Sequence, residues 1–194
     1  MRAKGTAVAW LAIAVLALAG CATAPPAPPN AFRLGSPALA DNGVLAARNG
    51  GNLKTNPNCL GDNVSIPLFW ANPPEKTRSF VLLMDDQAGR NGLGVSHMVV
   101  YGIPANATSF AEGELSTPPV NSRFVAGRST PGPLGWFGPC PPRGNALQHY
   151  VITLIATDLE PGALAPGLAK DEVLKALAGG RALRAASFVT RYAH

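Results

Sequence analysis

The stretch SFVLLMDDQAGRNGLGVSHMVVYGIP, Ser79 to Pro104, holds two short apolar runs, SFVLLMD and HMVVYGI, either side of a segment rich in Asp, Gly and Asn. Strands favour β-branched and aromatic residues, and turns favour Gly, Asn, Asp and Pro because these tolerate the backbone angles of a reversal. Two more runs of the same kind, NVSIPLFW from Asn63 and HYVITLIATD from His149, carry the same punctuation. The chain therefore reads as a mainly β domain. Only KDEVLKALAGGRALRAA, Lys170 to Ala186, has helical spacing, with Val173, Leu174, Leu177 and Leu183 on one side and Gly179-Gly180 dividing it in two. Helices are expected to close the domain at its C-terminal end.

The N-terminal part of the sequence belongs to targeting rather than to the fold. Arg2 and Lys4 precede AVAWLAIAVLALAG, an apolar run too short for a comfortable membrane span, as in a secretory signal. The run ends in LAGC, Leu18 to Cys21, which resembles the lipobox of bacterial lipoproteins, whose cysteine is acylated and becomes the mature N-terminus. The alternatives are an ordinary signal cut at a nearby alanine or an uncleaved anchor. The proline-rich ATAPPAPPN that follows suits a semi-rigid tether. The organisation expected is a signal over residues 1–20, an acylated Cys21 and tether to residue 30, and one domain over residues 31–194. By the same resemblance, Ala22 rather than Asp after the cysteine implies, as in enterobacterial lipoproteins, sorting to the outer membrane, with the domain facing the periplasm. The membrane, reached through acylated Cys21, is thus one expected partner.

The 194 residues carry a formal charge of +5, which falls to +3 without Arg2 and Lys4, and no basic block interleaved with aromatics remains. A nucleic-acid partner is not indicated. Cys59 and Cys140 would lie in an oxidising compartment, where a bridge between them is favoured over two separate thiols. His97, His149 and His194 have no metal-ligand spacing, and no metal or cofactor is expected.

Polar groups cluster where the apolar runs begin or end. Asp85 and Asp86 close the first run, His97 opens the second, and Tyr150 opens VITLIA just after GPCPPRGNALQHY, Gly138 to Tyr150. Strand ends on a rigid scaffold are places to present groups to a ligand. Each also has a bland reading: turn chemistry for the aspartates, an interior histidine, a core tyrosine ring.

Together these segments resemble the phosphatidylethanolamine-binding, or Raf kinase inhibitor-like, family in its bacterial exported branch. The resemblance runs from FRLGSPAL and NGVL through CLGDNVSIPLFW, PPEKTRSFVLLMDDQAG, SHMVVYGIP, GPCPPRG and HYVITLIATDL to FVTRYA. It implies a β-sandwich with a large central sheet, a smaller sheet and C-terminal helices, and a small cavity at one end that binds anions or phosphoryl headgroups. By the resemblance, Asp85, His97, Gly138, Pro139, Pro141, Pro142, Gln148 and Tyr150 form that cavity. His97, Gln148 and Tyr150 would donate to an oxyanion, and Asp85 would accept from a protonated oxygen or an ammonium.

The sequence departs from the family at Gln87, Met98 and Gln148, which stand where an aspartate, a tryptophan and a histidine are usual. Neighbours on a strand point to opposite faces, so His149 should miss the cavity that Gln148 and Tyr150 face, unless Asn145-Ala146 introduces a bulge. Three functions compete. A non-catalytic binding module for small anionic or phosphoryl ligands is favoured. A protein-interaction or inhibitor module of the cell envelope is the alternative. A hydrolase built on Ser96, His97 and Asp85 is weaker, because Ser96 and His97 should oppose one another, and GRSTPG only approaches a nucleophile elbow. No phosphate-cradling glycine loop is present.

Overall fold

The computed structural model describes residues 28–116 and 123–194. The signal over residues 1–20, the lipobox Cys21 and most of the proline-rich tether lie outside the described residues. In chain order the strands are β1 (Arg33–Gly35), β2 (Gly43–Val44), β3 (Leu68–Ala71), β4 (Ser79–Asp86), β5 (Val95–Pro104), β6 (Ser109–Phe110), β7 (Val125–Ala126), β8 (Gln148–Thr157) and β9 (Ala182–Tyr192). A single turn, α1 (Gly89–Gly92), links β4 to β5, and α2 (Lys170–Ala176) precedes β9. Six strands form one sheet in the order β2-β9-β8-β4-β5-β7, and three form a second in the order β1-β3-β6. Among the described residues no helix is long and apolar enough to cross a membrane.

The near-continuous apolar character of SFVLLM follows from the position of β4. It lies between β8 and β5, and both its faces are covered. Phe80, Leu82 and Met84 face the small sheet and join a core with Trp70, Phe110, Ile152 and Leu154, each almost wholly buried. Val81 and Leu83 face the other way, onto a smaller core closed by Val173 and Leu177 at α2. Burying each such side chain fully contributes about 1.5–3 kcal/mol, so the β4 run alone anchors three layers.

The segment after α2 is not helical. Gly179 and Gly180 adopt φ of 75° and 87°, which end the helix, and the chain then pairs with β8 from Ala182↔Thr157 to Tyr192↔Gln148. Helical spacing through Leu183 is coincidental, because Ala186, Phe188, Thr190 and Tyr192 alternate into the core as a strand requires. The C-terminal helical segment thus shrinks to seven residues, and a strand closes the domain.

The pairing of β4 with β5 is irregular near its end. Met84 pairs with Met98 and Asp85 with Ser96, so His97 has no residue opposite it on β4. This bulge lets the adjacent His97 and Met98 share the face towards the small sheet, while Ser96 stays with Asp85 on the other.

Candidate functional site

The C-terminal end of β4 and the N-terminal ends of β5 and β8 meet at one end of the large sheet, around a cavity of about 650 Å³. Asp86, His97, Gln148 and Tyr150 line it from the sheet, Arg90 and Asn91 from α1, and Cys140, Pro141 and Pro142 from the wall segment. Asp86 arrives there by alternation, following Phe80, Leu82 and Met84 on one face of β4, and is only 3% exposed.

Each polar group is held by a specific partner. Asp86 Oδ1 accepts the backbone N–H groups of Ala88 (2.9 Å) and Gly89 (3.1 Å). Burial nevertheless outweighs those bonds and raises the carboxyl above the usual aspartate value. His97 Nδ1 lies 2.8 Å from the Phe137 carbonyl oxygen, and since a carbonyl can only accept, Nδ1 carries the proton. The imidazole stacks on Phe137 at 5.4 Å and meets the Tyr150 ring edge-on at 5.1 Å. Burial pushes its pKa down to about 4 despite hydrogen bonds to backbone carbonyls that favour the charged form. At neutral pH the ring is uncharged, and Nε2 offers a lone pair, not a proton. The Tyr150 hydroxyl donates to Gln148 Oε1 (3.3 Å), which leaves the Gln148 amide as a donor. Burial raises the Tyr150 pKa, so that hydroxyl keeps its proton.

The wall is docked as much as shaped. Gly138 N donates to Asn63 Oδ1 (2.8 Å), Pro139 O accepts from Gly51 N (2.9 Å), and Cys140 is disulfide-bonded to Cys59. A Cβ on Gly138 would collide with the Asn49 carbonyl, which accounts for glycine there. The bridge fastens the loop carrying Leu53, Asn56 and Asn58 as the facing wall. So rigid a segment before the apolar run of β8 is the seam between two parts of the site.

Of the residues expected from the sequence, His97, Pro141, Pro142, Gln148 and Tyr150 line the cavity. Asp85 does not. It shares the opposite face with Ser96 and pairs with Lys170 Nζ at 2.9 Å, in a second cavity of about 320 Å³. The acid at the site is its neighbour Asp86. Gly138 and Pro139 lie behind the wall, fixing it to the Asn49–Asn63 segment, and do not line the cavity. The donor role expected of His97 is also reversed, because its one N–H is spent on Phe137. His149 pairs with Arg191 on the outer face and is exposed, as alternation requires. Ser96 Oγ is buried without a hydrogen-bond partner, so no Ser–His pair forms there. Arg90 is the residue that motif reading passed over: the lone Lys or Arg lining the cavity among the described residues, held at φ 52°. The sequence signal was GRNG itself, a turn whose basic side chain sits one turn from the acid. No group of His, Cys, Asp and Glu able to hold a metal occurs among the described residues.

Comparison with known proteins agrees with this architecture. Residues 37–193 match the profile of the phosphatidylethanolamine-binding protein family. LppC of Mycobacterium tuberculosis, named as a candidate lipoprotein, is 33% identical over 174 residues, covering 86% of this chain and 77% of LppC. A UPF0098 protein of Aquifex aeolicus is 36% identical over 115 residues, covering 59% of this chain and 66% of that protein. The crystal structure of Escherichia coli YbcL, described as a member of the mammalian PEBP family, superposes with a TM-score of 0.72 at 23% identity. It covers 84% of this chain and 98% of YbcL.

Proposed function

Because the chain belongs to the phosphatidylethanolamine-binding protein family, we propose that it is a cell-envelope lipoprotein whose cavity binds small anionic or phosphoryl headgroup ligands without transforming them. The observation that carries the reading is the convergence of Asp86, His97 and the Gln148–Tyr150 pair, with Arg90, on one cavity. Arg90 supplies the positive charge, the Gln148 amide donates to a phosphoryl oxygen, and the buried Asp86 donates when it carries its proton. Nε2 of His97 accepts, and so selects a ligand that brings a proton of its own, such as a P–OH group or an ammonium. The cavity binds a protonated, singly charged phosphoryl group better than a bare dianion.

The anchoring half rests on LAGC at Leu18 to Cys21 and on the kinship with LppC. Acylation of Cys21, outer-membrane sorting through Ala22 and a periplasm-facing domain complete the proposal. Titration calorimetry with phosphate and phosphoethanolamine tests the cavity. Binding to the natural protein that is lost in His97→Ala and Arg90→Gln supports it, and heats unchanged by either variant refute it. An esterase and phosphatase substrate panel tests the absence of chemistry: turnover abolished by His97→Ala would make the protein an enzyme.

A further inference from the structure

The described chain enters the domain at the end of the sandwich opposite the cavity. Ala31 N donates to Pro28 O (2.9 Å), closing a turn, and Asn72 Nδ2, just beyond β3, donates to the carbonyl oxygens of Pro29 (3.1 Å) and Ala31 (3.2 Å). Phe32 then stacks on Phe80 at 6.2 Å between ring centroids, and Arg33 pairs with Ala71. Phe80 lies at the start of β4, where Ser79 pairs with Pro104 and Thr157, whereas Asp86 at the other end of that strand lines the cavity. These contacts fix the point at which the tether meets the fold.

Two lengths decide which way the cavity can face. The ten residues of β8 run from Thr157, at the tether's end of the sheet, to Gln148 at the cavity, about 30 Å at a rise of about 3.3 Å. Cys21, outside the described residues, precedes Pro28 by seven residues, whose reach is at most about 25 Å at about 3.6 Å each. Pressing the cavity mouth against the bilayer that holds the acyl chains would need the tether to span the length of the domain, and even fully extended it falls short.

We infer that the cavity opens away from the membrane that carries the anchor, so that its ligand is a water-soluble phosphate ester of the compartment into which the domain projects, not a headgroup of the anchoring bilayer. The inference rests on the proposed acylation of Cys21 and on the proposed phosphoryl binding in the cavity. A domain without the tether could turn any face to a bilayer. A short tether fixed at the far end removes that freedom.

The acylated full chain, bound to phosphatidylcholine vesicles that carry an acceptor dye on their headgroups, tests this. A donor fluorophore is placed at Leu93→Cys, in the exposed loop between β4 and β5 at the cavity end, or at Asn106→Cys, in the exposed turn after β5 at the tether's end. Energy transfer to the bilayer should be several-fold stronger from residue 106 than from residue 93. Calorimetric affinity of the vesicle-bound protein for soluble glycerophosphoethanolamine should not change when phosphatidylethanolamine replaces part of the vesicle lipid. Equal transfer at the two positions, or stronger transfer from residue 93, overturns the orientation. Competition by phosphatidylethanolamine in the anchoring vesicle overturns the soluble source of the ligand. Failure of the soluble ester to bind, with the transfer difference intact, overturns the cavity reading and leaves the orientation standing. A full chain that carries no acyl group overturns the anchoring reading and this inference with it.

Discussion

Asp85 and Asp86 are adjacent in sequence and face opposite sides of one sheet, so equivalent substitutions should have unlike effects. Asp86→Asn keeps the Oδ1 acceptor used by the Ala88 and Gly89 N–H groups and replaces a carboxyl that donates only when protonated with a permanent N–H donor, so it should tighten phosphate binding at neutral pH by calorimetry. Asp85→Asn breaks the partly buried pair with Lys170, and should cost about 1 kcal/mol of stability in a thermal melt while leaving binding unchanged. Motif matching pointed to Asp85 because it carries no information about faces. Which face of β4 is the cavity face depends on where the small sheet packs, and that is a tertiary fact. His97 makes a second prediction. Its folded pKa of about 4 lies below the ordinary 6.5, so the unfolded chain takes up a proton as pH falls through 6.5 and the folded protein does not until about 4. Stability should therefore fall across that window, by about 3 kcal/mol from this group. The raised carboxyl of Asp86 acts with opposite sign, losing stability as pH rises from the ordinary aspartate value through its own. Melts between pH 7 and pH 4 should show a steep loss in the natural protein and a flatter one in His97→Asn. Gln148→His should tighten phosphate binding below about pH 6.5, where an imidazole on the half-buried edge of the cavity gains charge. Equal calorimetric affinities at acidic and neutral pH would refute it.

At the level of elements, the four apolar runs were legible because strand composition and turn residues agree. The last strand was not, because RALRAA carries helix-forming residues, and only the need of β8 for a partner along its whole length decides the matter. The bulge at His97 was equally hidden, since an unpaired residue leaves no mark in composition. The bridge between Cys59 and Cys140 is the element most open to perturbation. It closes a separation of 81 residues, which in the chain-entropy model contributes up to about 4–5 kcal/mol. Reduction should lower the melting temperature. It should also weaken ligand binding, because the loop bearing Asn56 and Asn58 is then tied to the wall by hydrogen bonds alone. A reduced protein with native affinity would show that this loop contributes nothing to the site.

For the whole molecule, family and sandwich architecture could be read from segments spread across the chain, while the electrostatics of the cavity could not, because they arise from burial. Cys21→Ser should shift the protein from the membrane fraction to the soluble one or leave its signal uncleaved, with no fatty-acid label incorporated. An acyl-labelled Cys21→Ser protein would refute lipidation there. The large sheet also constrains the order of assembly. Gly43 and Val44 of β2 pair in parallel with Thr190 and Arg191 of β9, and among the described residues β9 alone joins β2 to the rest of the sheet. A chain synthesised or threaded N-terminus first delivers β2 well over a hundred residues before β9, its partner among the described residues. Until then β8 too presents an open edge, the kind of surface that recruits foreign strands. The vulnerable interval in the folding of this sheet is thus the wait for β9, and a holding factor that shields the β8 edge during that wait should raise the yield of native protein.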